Sequence, residues 1–118
     1  MADSIVAQKS FQLAMRIVKL YMYLKNQKQE FILAKQLVRS GTSIGANTEE
    51  AVAAQSKADF IHKLQFALKE ARETNYWLRL LHASELIETA AFESIQRDCI
   101  ELQKMLSSII LTSKKNNS

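Results

Sequence analysis

The sequence predicts an all-α fold, an antiparallel up-down-up-down four-helix bundle, on three observations. Apolar side chains recur at spacings of three and four along nearly the whole chain, the rhythm of helices that each bury one face. The 118 residues include no Pro and only two Gly, Gly41 and Gly45. Hairpins, sandwiches and Gly-rich phosphate loops depend on those residues, so all-β and nucleotide-binding α/β folds are disfavoured. Finally, the periodic stretches are each about 20–25 residues long, or roughly 30–37 Å as helix. Short polar turns separate them, and helices joined in that way lie antiparallel to their neighbours. One domain spans residues 1–118, a length that buries an adequate core without disulfide or metal.

The first helix is predicted over about residues 4–26, with Asp3 or Ser4 as its cap. Phe11, Ala14, Val18 and Tyr21 form one apolar stripe, and Leu13, Ile17, Leu20 and Leu24 form a second beside it. Together they make a broad face that touches more than one neighbour. The polar turn Asn26-Gln27-Lys28-Gln29 follows.

The second helix is predicted over about residues 30–54. Its stripe is Leu33, Leu37, Ser40, Ile44, Asn47, Ala51 and Ala54, small or polar in the middle. Gly41 and Gly45 stand one turn apart beside it. Glycine costs a helix interior about 1 kcal/mol relative to Ala, so the pair marks either a break or the close approach of another backbone. The stripe keeps its phase through both glycines, which favours a continuous helix, with a break near Ser40–Asn47 as the alternative.

The third helix is predicted over about residues 57–83. Ser56 and Asp59 have capping-box spacing, and Phe60, Leu64, Ala67, Ala71, Thr74, Leu78 and Leu81 form the inward stripe. After a turn at Ser84–Glu88, the fourth helix is predicted over about residues 89–112, with Thr89 as cap. It carries Phe92, Ile95, Cys99, Leu102, Leu106 and Ile109 inward and a Glu93, Arg97, Glu101 ladder outward. The polar tail from Ser113 is expected to fray.

Charge is uneven. Residues 1–40 hold seven basic and two acidic side chains, or +5, whereas the whole chain carries +4. Such a basic first third suits an anionic partner such as nucleic acid; it equally suits lysines that solvate a helix face. The candidate nucleic-acid contacts are Lys9, Arg16, Lys19, Lys25, Lys35 and Arg39.

Catalytic and metal chemistry find little footing. Di-iron bundles need two Glu-x-x-His pairs plus two carboxylates; this chain has Asp59-x-x-His62 alone, and Arg79 stands three residues before His82. The single Cys99 falls on an apolar stripe, where thiols commonly pack. His62 and His82 fall off the inward stripe and read as surface residues. No enzyme site, metal or cofactor is predicted. The longest apolar run is the five residues Leu20 to Leu24, far short of a membrane span, and the first residues lack a signal-peptide pattern. A cytoplasmic location is expected.

The segment KEARETNYWLRLL, Lys69 to Leu81, sets Glu70, Glu73, Tyr76 and Trp77 largely off the inward stripe. Aromatics beside Glu and Arg on an outward face resemble an interface; alternatively, Trp77 packs on the flank of a neighbouring helix. Arg39 is placed to pair with Glu50 or with an acid on the third helix.

The stretch QLVRSGTSIGANTEEA, Gln36 to Ala51, followed by Ser56, Asp59-Phe60 and KEARETNYWLRLL, resembles the bacterial four-helix-bundle proteins called 23S rRNA intervening-sequence proteins. Arg39, Ser43-Ile44, Asn47, Glu50, Glu73 and Tyr76 carry the likeness, which covers about Phe11 to Ile110. Gly45 stands where many members have Pro, and Ala51 where many have Gly. The resemblance implies an antiparallel bundle that assembles as a homopentamer. It also implies kinship with accessory proteins of diversity-generating retroelements, which bind nucleic acid and a reverse transcriptase through a basic surface. Repeated round a ring of five copies, the basic first third would make a strong, salt-sensitive field.

Two functions therefore stand at the level of sequence. One is a non-enzymatic oligomeric bundle that binds RNA or DNA through its N-terminal basic residues. The other is a protein-interaction scaffold, in which Arg39, Ser43, Asn47, Glu50, Glu70, Glu73, Tyr76 and Trp77 serve a subunit or partner contact.

Overall fold

A computed structural model describes residues 2–116, with side chains from Ile5 onward. Among them run four helices: α1 (Ala2–Gln27), α2 (Ile32–Val52), α3 (Lys57–Ala83) and α4 (Thr89–Lys115). Each packs on the helix before and after it, and α4 returns to α1, which closes an up-down-up-down bundle. The rod measures 51 × 21 × 19 Å. Among the described residues no helix is long and apolar enough to cross a membrane.

The core is a column of Leu, Ile and Ala. Val6, Leu13, Ile17 and Leu24 of α1 face Leu37 and Ile44 of α2, Leu64, Leu78 and Leu81 of α3, and Leu102 and Leu106 of α4. Thus α1 buries the second of its two predicted stripes. The first turns outward: Phe11 and Val18 are exposed, while Ala14 and Tyr21 are half-buried. Both stripes have helical spacing, and only one can face the interior of a bundle.

α2 passes unbroken through Gly41 and Gly45, both buried against α1. It is shorter than predicted at each end. Phe31 holds the N-cap position without a side-chain bond; instead, Glu30 Oε1 reaches forward to accept from the N–H groups of Leu33 and Ala34. Thr48 is buried where Asn47 was expected, and Asn47 is half-buried.

The cap predicted for α3 forms, with Ser56 Oγ accepting from the Asp59 N–H at 3.1 Å. Its exit is a six-to-one, five-to-two arrangement: Leu86 N–H donates to Leu81 O and Glu85 N–H to His82 O, both at 3.0 Å. Glu85 adopts φ 62° there, a conformation usually given to glycine.

Four expectations for α4 need correction. Glu88, not Thr89, occupies the N-cap position, and no side chain bonds there; Thr89 Oγ1 instead meets His82 Nε2 at 3.0 Å. Ile110 is buried in preference to Ile109. The tail from Ser113 stays helical through Lys115, and Lys57 Nζ donates to Asn116 O at 2.7 Å. The ladder does not form among the described residues: Glu101 pairs with Lys9 across the bundle at 3.2 Å. The side chains of Asp3 and Ser4, predicted to cap α1, lie outside the described residues.

Candidate functional site

Three constellations stand above the core, and a single buried cysteine lies within it. The first is an acid–base cluster on the α2–α3 face. Glu70, Glu73 and Trp77 are three and four residues apart, so they share one side of α3. Arg39 reaches over from α2: Nη1 lies 3.4 Å from Glu70 Oε2, Nη2 donates to Glu73 Oε2, and Nε donates to Gln36 Oε1. The Trp77 indole N–H donates to Glu73 Oε2 at 2.9 Å, and the ring meets Tyr76 edge-on with centroids 5.1 Å apart. Beneath them Thr74 Oγ1 lies 3.0 Å from Ser40 Oγ, a polar bridge inside the α2–α3 seam.

One sequence expectation changes here, and one is decided between its two alternatives. Glu70, placed off the core stripe, is buried, its side chain 7% exposed against 29% for Glu73. Of the two partners offered to Arg39, the acids on α3 take it; Glu50 is exposed on α2 and forms no ion pair among the described residues. Trp77 is half-buried against the core of its own chain, while Tyr76 is exposed. Ser43 and Asn47 are half-buried and joined by a hydrogen bond, Asn47 Nδ2 to Ser43 O, at 2.8 Å.

The second constellation is the basic set, which the fold divides. Lys9 pairs with Glu101, and Arg16 with Asp98 at 2.6 Å plus Ser94 Oγ at 2.9 Å, both on α4. Arg39 belongs to the α2–α3 cluster. Lys25 Nζ sits 5.2 Å from the centre of the Tyr21 ring. Lys19 and Lys35 are exposed and form no ion pair among the described residues.

The third is apolar and was half-seen in the sequence. Phe11, Met15, Val18 and Met22 are 56%, 49%, 42% and 46% exposed, spaced four, three and four along the outer side of α1. Beside Phe11 and Met15, a shallow hollow of about 580 Å³ extends to Val52 and Glu49 at the end of α2. Phe11 and Val18, read in the sequence as part of one broad face touching more than one neighbour, stand on the outer side with the two methionines instead of with Ala14 and Tyr21.

Within the core lies the cysteine. Cys99 is wholly buried, and its thiol donates to Ala71 O at 3.3 Å. Burial pushes its pKa up to about 11, so it stays protonated near neutral pH. His62 is exposed; His82 is half-buried and stacked flat on Phe92 with centroids 4.3 Å apart. Among the described residues no three His, Cys, Asp or Glu side chains gather as a metal site.

With this geometry in view, comparison with known proteins decides the family. Residues 2–108 match the family described as 23S rRNA-intervening sequence protein. The chain belongs to that family. A crystal structure of a protein of unknown function, from the S23 ribosomal protein family of Bacteroides thetaiotaomicron, is similar over nearly its whole length. It shares 55% identity with TM-score 0.92, covering 93% of this chain and 98% of that one. No curated protein matches. The 23S rRNA-intervening sequence family thus carries with it the four-helix bundle, in agreement with the fold described above.

Proposed function

We propose that this member of the 23S rRNA-intervening sequence family is a non-catalytic scaffold that assembles with copies of itself through the outer side of α1. The observation that carries the reading is the exposed seam of Phe11, Met15, Val18 and Met22. A helix apolar on two opposite sides is suited to lie between two bundles, and a monomer seldom leaves such a continuous patch in water. These side chains are about half exposed, so burying what remains is worth roughly 0.7–1.5 kcal/mol each. The spacing is that of a helix packing on a helix, so a second copy of the chain is the occupant; that the copies number five in a closed ring is what the family resemblance implies.

Light scattering at micromolar concentration tests it. The expected mass is about five times the 13.4 kDa of one chain. Replacing Phe11 and Val18 together by Glu is expected to give monomers that keep their helical circular dichroism. A wild-type monomer, or a double variant of unchanged mass, overturns the proposal.

A second reading, that the assembly binds RNA or DNA, draws on Lys19, Lys25 and Lys35, whose ammonium groups no carboxylate neutralises among the described residues. Binding of that kind weakens steeply with salt and falls on charge reversal of Lys19 and Lys35. Absence of binding at low salt removes this reading and leaves the scaffold.

A further inference from the structure

Folding neutralises much of the basic first third: Lys9, Arg16 and Arg39 are held by Glu101, by Asp98 and by the Glu70–Glu73 pair. The outer side of α3 is different. His62, Gln65, Lys69, Arg72, Tyr76 and Arg79 are all exposed, at spacings of three, four, three, four and three, and so form one row along the helix. Lys69, Arg72 and Arg79 form no ion pair among the described residues. From Lys69 to Arg79 the row covers roughly 15 Å.

α4 widens it. Gln96 Nε2 donates to Asn75 Oδ1 at 3.0 Å, which sets the middle of α3 beside the first half of α4. Gln96 lines a shallow hollow of about 420 Å³ together with Arg97 and Lys104, both exposed and neither in an ion pair among the described residues. Three acids border these five cations. Glu73 is taken by Arg39 and the Trp77 indole, and Glu101 by Lys9. Only Glu93 is unclaimed.

Two rings interleave with the charges. Tyr76 is 52% exposed and braced edge-on by Trp77, and Phe66 is 42% exposed with Lys69 Nζ 5.2 Å from its ring centre. Unpaired cations beside exposed rings suit a single strand of nucleic acid, whose phosphates take the cations while its unstacked bases lie on the rings. A second copy of the chain has nothing to match this face. Apart from Glu93, the described carboxylates that no cation holds are Glu30, Glu49, Glu50, Asp59, Glu85 and Glu88, and these stand near the two ends of the bundle. None of them makes an acidic row along a helix. Moreover α3 touches α2 and α4 but not α1, so the row stays open when the outer seam of α1 is covered.

We propose that the outer side of α3, with Arg97 and Lys104 of α4, binds single-stranded nucleic acid. The phosphates lie along Lys69, Arg72, Arg79, Arg97 and Lys104, and one base stacks on Tyr76. The site rests on the reading that the protein binds nucleic acid, and moves the contact from Lys19, Lys25 and Lys35 to the far side of the bundle.

Fluorescence anisotropy of the full chain with a labelled oligouridylate tests it, at about twelve nucleotides, a length that one such surface covers. Binding is expected at low salt, with a slope of log affinity against log salt of about −3.5 for five phosphate contacts. Joint reversal, Arg72→Glu with Arg79→Glu, is expected to weaken binding at least tenfold at unchanged helical circular dichroism and assembly mass. Tyr76→Ala is expected to weaken it at least about fivefold, and Tyr76→Phe, which keeps the ring, by less than about twofold. Lys19→Glu with Lys35→Glu is expected to cost less than about threefold.

No binding of the strand at low salt removes the nucleic-acid reading and this site with it. Binding that falls with the Lys19 and Lys35 reversals but survives those at Arg72 and Arg79 keeps that reading and overturns this site. Indifference to Tyr76→Ala, equal affinity for a duplex RNA of the same length, or equal displacement by polyglutamate also overturns it, because charge alone then accounts for the binding. A mass change on reversal of Arg72 and Arg79 overturns it as well, since the face then belongs to a contact between copies.

Discussion

Ile17 lies hard against Gly41. A Cβ added to that glycine would stand 2.7 Å from Ile17 Cγ2 and 2.9 Å from Cγ1. Ile17 is fully buried and β-branched, so it has little rotamer freedom with which to yield. One turn on, Gly45 has an easier neighbour: its added Cβ would meet Ser10 Oγ at 3.4 Å, at the close edge of ordinary contact.

The two glycines therefore differ in sign. Gly41→Ala gains about 1 kcal/mol of helix propensity but forces a core overlap of the kind that costs about 1–3 kcal/mol, for a net loss near 1 kcal/mol. Gly45→Ala keeps most of the propensity gain and is expected to be neutral to about 1 kcal/mol stabilising. Urea unfolding of both variants at matched protein concentration checks the pair. Equal effects would mean that the glycines do not set the α1–α2 approach.

The Arg39 cluster makes a different kind of claim. Glu70 is buried and the guanidinium is its ion partner, so Arg39→Ala leaves an acid in the core without its cation. An unsatisfied buried acceptor costs about 1–3 kcal/mol, more when charged; the half-exposed Arg39 side moderates this through solvent. Arg39→Lys is expected to recover less than half of the loss, since a single ammonium does not span both Glu70 and Glu73 as the planar fork does. A double-mutant cycle with Glu70→Gln is expected to show coupling, and additive losses would show that the pair does not act together.

How far the sequence reading reached follows from what periodicity can and cannot encode. Three-and-four spacing named four helices because it depends only on local geometry. On α3 it found Leu64, Ala67, Ala71, Thr74, Leu78 and Leu81, all buried, while Phe60 of the same stripe is only half-buried and Leu68, beside the stripe, is buried as well. On α1 the same spacing occurs twice, and which stripe turns inward depends on α2 and α4, which local pattern does not contain. The burial of Glu70 was hidden for a similar reason: it depends on Arg39, thirty-one positions away and across a helix seam. The turns at Asn26–Gln29 and Ser84–Glu88 were legible as polar breaks, but not the residues that bend them, because Gln29 and Glu85 hold positive φ without being glycine.

Those bends supply a prediction of their own. At Gln29, φ is 52°, and the N–H groups of Lys28 and Glu30 on either side of it both donate to Leu24 O. A left-handed conformation costs a side-chain-bearing residue roughly 1–2 kcal/mol, a penalty glycine escapes. Gln29 is exposed, so its side chain contributes little packing. Gln29→Gly is expected to stabilise the fold by about 0.5–1 kcal/mol after the greater flexibility of glycine in the unfolded chain is deducted. A thermal melt that fell instead would mean that the Gln29 side chain holds the α1–α2 turn.

Cys99 ties stability to alkaline pH. Its thiol is raised from an ordinary value of 9.0 to about 11 because burial disfavours the thiolate. The folded state thus holds the proton more tightly than the unfolded state. Stability from this group is fully present below pH 9 and is lost as pH rises towards 11, by about 1.4 kcal/mol per pH unit at the steepest. Lysines and tyrosines titrate in the same window, so the useful measurement is a difference. Urea unfolding across pH 8–10.5 is expected to fall more steeply for the wild type than for Cys99→Ala, which lacks the thiol and starts from a lower stability because of the space it leaves. In parallel, a thiol reagent at pH 8 is expected to react slowly with the folded protein and rapidly once urea has unfolded it. Prompt reaction in the native state, or parallel pH slopes for the two proteins, would place Cys99 in contact with water and remove the burial that raises its pKa.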